Sequence, residues 1–314
     1  RHDMLTTAIN SVRGAAAEMV GALLFDKADR VPFFMPYLEK MIHDPSVIVR
    51  TTVAHSLLCL YRHNEARAVD LFLVLVDKDN DHLLATHYVD RFLHYANVRH
   101  FQRLRLVLRR MLDSPVSAVR ETGARHVCLA QFSNPEAADM VAECVTGDEA
   151  LRKGAAKVAE ANLFNPVCAA FTHEKLPSFF NDPDREIRNA AARCFRKAKG
   201  RDLEKAKPII RSFLESDAFR DNVDDLMWPL EYSTADIAEE VLLTCEAVIA
   251  NMESLGDDPA HRLYGHANSV AELVMRAYRQ TNDAAARTRC LDIVDRLLAQ
   301  EVYGISKELE EFER

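Results

Sequence analysis

The stretch NDPDREIRNAAARC, Asn181–Cys194, decides the fold. Proline at position 183 disfavours helix in the residue before it and offers no N–H, so a preceding helix stops there. After it, Ile187-Arg188 and then Ala191 and Ala192 follow a helical period. The same order of polar turn, apolar residue, arginine and small residues recurs along the chain. Asp44-Pro45 leads to Val49-Arg50 with Ala54, and Asp113-Ser114-Pro115 leads to Val119-Arg120 with Ala124. Asp148 leads to Leu151-Arg152 with Ala155 and Ala156, and Val12-Arg13 precedes Ala16. The arginines at 13, 50, 120, 152 and 188 are separated by 37, 70, 32 and 36 residues, and 70 is twice 35. The missing rung falls at Ala85, where Leu84 to Val89 keeps the apolar phase without the arginine. A looser match lies at Val223-Asp224, before Leu226, Met227 and Trp228.

An apolar helix is predicted before each turn: Pro32–Ile42, Ala66–Val76, Arg99–Leu112, Glu136–Val145 and Val167–Phe180. The Asp or Ser of the turn is expected to cap the helix that follows, for about 1 kcal/mol. That second helix carries an apolar stripe, as in Val49, Val53, Leu57 and Leu60, and its alanines permit close approach. One pair cannot bury such a stripe alone, so pairs must stack. The recurring arginine is expected to reach the turn aspartate of a neighbouring unit and form a ladder.

These residues resemble the HEAT-repeat family, over about residues 6–200 and most closely at 44–60, 113–130 and 182–198. The resemblance implies an all-α solenoid of stacked antiparallel helix pairs and says little of function. Beyond residue 200 amphipathic helices are predicted at Asp202–Glu215, Thr234–Asn251, Asn268–Gln280 and Ala284–Gln300, without the Asp-Pro signature. We therefore expect regular repeats over 1–200. Over 201–314 we expect atypical helical repeats and a C-terminal cap, continuous with them. Gly256-Asp257-Asp258-Pro259 reads as a loop, and Lys307–Arg314 as a charged tail.

The composition narrows the chemistry. Among 314 residues there are 9 glycines, and neither G-x-x-x-x-G-K-[ST] nor G-x-G-x-x-G occurs. No stretch of 18 apolar residues occurs, so no membrane span is expected, and no signal peptide is expected either. Seven separated cysteines without C-x-x-C read as reduced structural thiols, and the expected location is cytoplasmic. Arg1 in place of Met, with helical pattern from Thr6 to Leu24, leads us to expect a piece of a longer chain. The formal charge of −8 is uneven: residues 215–314 hold 22 acidic and 9 basic residues, the rest 26 and 31.

The candidate sites follow from charge and spacing. The stretch 99–125 is the most basic, with seven arginines; on its helix 99–112, Arg99, Arg103 and Arg110 lie near one face and Arg105 and Arg109 on another. It reads as a solvated surface or as a patch for an acidic partner. Nucleic acid is disfavoured by the overall acidity and by the lack of interleaved aromatic residues. His87 and His94 stand two turns apart, too far for an H-E-x-x-H zinc site. His126 and Cys128 point in different directions on a helix, so Cys128 reads as core. A glycosidase or DNA-glycosylase would need a carboxylate in an aromatic cleft. The one place for such a cleft is Trp228, with Asp224, Asp225 and Glu231 around it, although Trp228 reads more simply as a helix-end core residue. No catalytic, cofactor-binding or metal-binding set is expected. The partner surface is expected to include Arg91, His94, Arg103, Arg125 and His126.

Two segments carry a further resemblance. Ala8-Ile9-Asn10-Ser11-Val12-Arg13-Gly14-Ala15-Ala16 resembles a segment near the C-terminal repeats of bacterial signal-transduction NTPases of the STAND type. Cys290-Leu291-Asp292-Ile293-Val294-Asp295-Arg296-Leu297-Leu298 and Tyr303-Gly304-Ile305 are similar to the ends of such proteins. The resemblance implies a non-enzymatic sensor portion that binds a partner protein on a concave surface. In antiviral members that partner is a phage or other foreign protein. It implies a monomeric piece of a parent that oligomerises, with the NTPase and effector elsewhere in that parent. A general scaffold or assembly role is the alternative reading, and a nucleic-acid-binding HEAT-like protein a third.

Overall fold

A computed structural model of the chain describes residues 6–7, 10–77, 81–255 and 266–299. The predicted loop at 256–259, the tail from 303 onward and the segment Ala8-Ile9 lie outside the described residues. Among those residues every regular element is helical, with seventeen α-helices and four short 3-10 turns. The chain forms two compact units, Arg1–Ala155 and Ala156–Arg314. The dividing line falls inside a helix, whereas the change in repeat pattern lies near residue 200.

The first unit holds α1 (Val12–Asp26), α2 (Val31–Met41), α3 (Val47–Tyr61), α4 (Glu65–Val76), α5 (Asp81–Leu84), α6 (His87–Leu112), α7 (Ser117–Ala130) and α8 (Ala138–Thr146), and it ends within α9 (Glu149–Ala161). Helices that follow a turn pack on one another: α1 on α3 and α3 on α6. Helices that precede a turn close the other side, α2 and α4 against α3 and α4 against α6. The core between them contains Leu24, Val53, Leu57, Leu60, Phe72, Phe92 and Leu104, all fully buried. Phe72 and Phe92 stack with centroids 4.1 Å apart. Small residues bring the second helices together: a Cβ on Gly154 would lie 2.8 Å from Ala124 Cβ, and one on Gly21 would lie 3.2 Å from Ser56 Cα.

The expected cap by a turn aspartate forms at Asp148, while Asp44 and Asp182 act differently. Asp44 and Asp182 accept the N–H two residues on, from Ser46 (2.8 Å) and Asp184 (2.9 Å), and so fold the Asp-Pro turn itself. They sit too far before the helix to cap it. Capping falls to residues nearer the first turn: Ser11 for Gly14 N–H (3.0 Å), Asp148 for Leu151 (3.1 Å), and Asp184 for Glu186 (2.7 Å) and Ile187 (3.1 Å). Because Ser11 caps α1, the expected single helix Thr6–Leu24 does not run through; α1 begins at Val12. At the rung without an arginine, Thr86 Oγ1 donates to Leu83 O (2.7 Å) and α6 starts at His87. α6 then bends at His100 (φ −124°, ψ 24°), so one long element contains both the second helix of this rung and the first of the next.

The second unit continues in α10 (Ala169–Phe180), α11 (Arg185–Ala192), α12 (Lys207–Leu214), α13 (Phe219–Asn222), α14 (Asp224–Glu231), α15 (Ala238–Leu255), α16 (Ala267–Gln280) and α17 (Ala284–Ala299). Phe180, Phe195, Phe213 and Phe219 form its aromatic centre, with successive centroids 5.1–5.6 Å apart in the Phe195–Phe213 and Phe213–Phe219 pairs. α15, α16 and α17 pack mutually. The expected helix Asp202–Glu215 divides into a 3-10 turn, Asp202–Ala206, and α12.

Candidate functional site

The five surface residues expected from the sequence all lie in the first unit, but they do not form one surface. Arg91 and His94 are exposed on α6. Arg103 is held by the carboxylate of Asp70 and donates to Ala66 O (3.4 Å). Arg125 is paired with Asp90. His126 is 1% exposed, so it stands behind the surface rather than on it. Its Nε2 lies 2.7 Å from Asp90 Oδ1. Burial pushes the Asp90 carboxyl upward, but the His126 and Arg125 contacts outweigh it and hold the group at about 2. Burial pushes the His126 imidazole below its usual range, and Asp90 offsets only part of that.

The other arginines of α6, Arg105 apart, are occupied too. Arg99 meets Glu65 (2.6 Å), Arg109 meets Glu143 (2.5 Å) and Arg110 meets Asp81 (2.8 Å). Arg67 pairs with Glu39, and Gln102 donates to Glu136 (2.8 Å). A ladder therefore exists, but it runs mainly between the first helices of successive units. The expected arm from the turn arginine to the next turn aspartate occurs at Arg13–Asp44 (3.0 Å) and Arg120–Asp148 (2.8 Å). The turn arginine also binds its own turn. Arg120 donates to Ser114 O (2.6 Å), Arg152 to Gly147 O (2.7 Å) and Arg188 to Asp182 O (2.7 Å). Arg287 repeats this with Thr281 O (3.0 Å), a rung that the sequence reading missed for want of an Asp-Pro turn. Arg50 is buried, and its Nε and Nη1 have no hydrogen-bond partner.

Arg91 differs: it makes no hydrogen bond or ion pair among the described residues. It lines a groove of about 350 Å³ with Phe25 of α1, His55, Leu58, Cys59 and Tyr61 of α3, Arg62 just after α3, and Tyr95 of α6. Phe25 and Tyr95 are 57% and 51% exposed, far more than large apolar side chains need be. The Arg62 guanidinium lies 4.8 Å over the Phe25 ring. His94 leans edge-on against Tyr95, centroids 5.2 Å apart. Behind the groove, Glu18 accepts from Tyr88 Oη (2.9 Å), and His55 stacks on Tyr88. Glu18 Oε1 is 3.9 Å from His55 Nδ1, and Cys59 Sγ is 3.6 Å from His55 Nε2. Burial pushes the Cys59 thiol up to about 11 and the His55 imidazole down, so the two face each other as neutral groups. The sequence signalled Arg91 and His94. It gave no hint of Phe25, Tyr61 or Arg62, which come from other helices.

In the second unit a cleft does open at Trp228. The indole is 57% exposed, contrary to its reading as a core residue. Proline at 229 sits inside α14 rather than ending it, so Trp228 is held on an exposed turn of that helix. Among the described residues no three His, Cys, Asp or Glu side chains converge as a metal-binding group, and no helix is long and apolar enough to cross a membrane. All seven cysteines are buried free thiols.

The fold defines an all-α protein of packed helix pairs. No protein-family model matches the chain, and no curated protein matches it.

Proposed function

We propose that this chain is a protein-recognition module with no bond-making chemistry of its own. Its groove between α1, α3 and α6 receives an acidic partner segment that carries an aromatic or apolar side chain. The observation that carries this reading is Arg91, an exposed cation without a counter-ion set among three aromatic rings. Arg62 adds a second cation at the rim. A carboxylate can take both N–H groups of a guanidinium while the neighbouring ring covers the apolar part. The neutral His55–Cys59 pair supports a non-catalytic role, because a thiol held as a thiol is a poor nucleophile. The paired state of Arg99, Arg103, Arg109 and Arg110 leaves little free charge for a phosphate backbone, which disfavours nucleic acid.

We further propose that the module is the cytoplasmic sensor of a larger STAND-type NTPase, with a phage or other foreign protein as its partner. Support comes from the likeness at residues 8–16 and 290–298. Binding would then shift an equilibrium in the parent by the difference in affinity between its two states. In a parent of this kind, a Walker A motif upstream in the same reading frame is expected; a reading frame without one leaves a scaffold role.

A labelled peptide alternating glutamate and tyrosine tests the groove directly by fluorescence anisotropy. Arg91→Glu should weaken its binding at least about tenfold at low salt. Arg105→Glu should leave it nearly unchanged, since Arg105 is also exposed and unpaired among the described residues but does not line the groove. Equal losses in the two variants would reduce the effect to general electrostatics and refute the groove.

A further inference from the structure

The cleft at Trp228 has a chemistry opposite to that of the groove. It encloses about 490 Å³ and is lined by Asp224, Asp225, Met227, Trp228 and Glu231 of α14, by Arg196, and by His266 and Ser269 at the start of α16. Two of its three carboxylates are engaged. Asp225 is only 2% exposed and is held by Arg196. Asp224 lies 2.7 Å from His266 Nε2. The Glu231 carboxylate is half-buried and makes no hydrogen bond or ion pair among the described residues. The aromatic wall is Trp228; Tyr232, also exposed, packs beside it with centroids 5.4 Å apart but does not line the cleft. Both rings line a second hollow of about 250 Å³.

An indole left this open forgoes a large burial gain, and its π face attracts a cation within about 6 Å. Arg196 gives its Nε to the buried Asp225, so its charge in the cleft is offset by that carboxylate. Among the described lining residues, Glu231 is the carboxylate without an ionic partner, and it stands one helical turn from the exposed Trp228 face. We propose that this cleft binds an organic cation, a guanidinium or alkylated ammonium group, against the Trp228 face with Glu231 as counter-ion. The same group can arrive on a basic segment of a partner protein or as a free small amine. The inference does not depend on the Arg91 groove.

Trp228 is the only tryptophan of the chain, so tryptophan emission reports ligands that reach this residue. The full chain is titrated with arginine amide, with trimethyl-lysine amide, and with each residue inside a short glycine-flanked peptide. Citrulline amide, the neutral isostere of arginine, is the control. A saturable change in Trp228 emission is expected with the cations and not with citrulline. Glu231→Gln should weaken binding about 3- to 10-fold with an unchanged melting temperature, and Glu231→Asp should retain part of it. Tighter binding of the peptide forms identifies a protein-borne cation; equal binding identifies a free amine. The proposal fails if no cation gives saturation at millimolar concentration, if citrulline matches arginine, or if Glu231→Gln binds as the wild type does.

Discussion

His126 is fully buried beside a carboxylate, and that position makes it a source of acid sensitivity. Burial lowers its pKa in the folded chain, with Asp90 opposing and Arg125 and His94 adding to the effect. Below about pH 6.5 the unfolded chain binds a proton that the folded chain refuses. This part of the stability is intact above that pH and is lost as pH falls. Asp90 itself stays ionised until about pH 2, so it contributes nothing to the loss in that range. His55 shifts in the same direction. His126→Gln keeps a donor for Asp90 and removes the titration. Melting temperatures between pH 7 and 5 should fall less steeply for this variant; one proton accounts for at most about 1.4 kcal/mol per pH unit. Parallel slopes would show that His126 is not the titrating group. Leu57 is fully buried in α3, and Leu57→Ala should cost about 2–5 kcal/mol in chemical denaturation. A loss under 1 kcal/mol would contradict the placement of that helix.

Among the elements, α6 shows how helices from distant parts of the sequence are tied. Its arginines reach acids 29 to 34 residues away in sequence, from Asp81 and Glu65 to Glu143. Exposed pairs are individually worth little, about 0–1 kcal/mol, yet Arg125, His126 and Asp90 share one partly buried node. Arg125→Glu would set two carboxylates against each other there. It should lower the melting temperature by several degrees, whereas Arg103→Glu, at a more exposed pair, should lower it by less. Unchanged melting temperatures in both variants would require both arginines to be free. The turn-and-helix rhythm was legible because proline, aspartate and alanine act within a few residues of themselves. The own-turn bonds of Arg120, Arg152 and Arg188 were not, since spacing alone does not tell a carbonyl six residues back from a carboxylate thirty residues on. The bend at His100 was hidden for a similar reason: residues on both sides of it favour helix.

At the scale of the whole molecule, sites were readable in proportion to how local they are. The Trp228 cleft was visible because Asp224, Asp225, Trp228 and Glu231 share one helix; Arg196 and His266 arrive from 28 or more residues away. The Arg91 groove draws on α1, α3 and α6, so the sequence offered its charge without its aromatic walls. Charge divides in the same sense, with basic excess before residue 215 and acidic excess after it. The proposed recognition chemistries, acidic ligand in the first unit and cation in the second, follow that division.

Hydrogen–deuterium exchange of the full chain with the glutamate–tyrosine peptide tests recognition at the groove most directly. Added protection is predicted at residues 55–62 and 88–95, with little change at 101–112, where Arg103, Arg109 and Arg110 are already paired. Protection centred on 101–112, or none at 88–95, would contradict it.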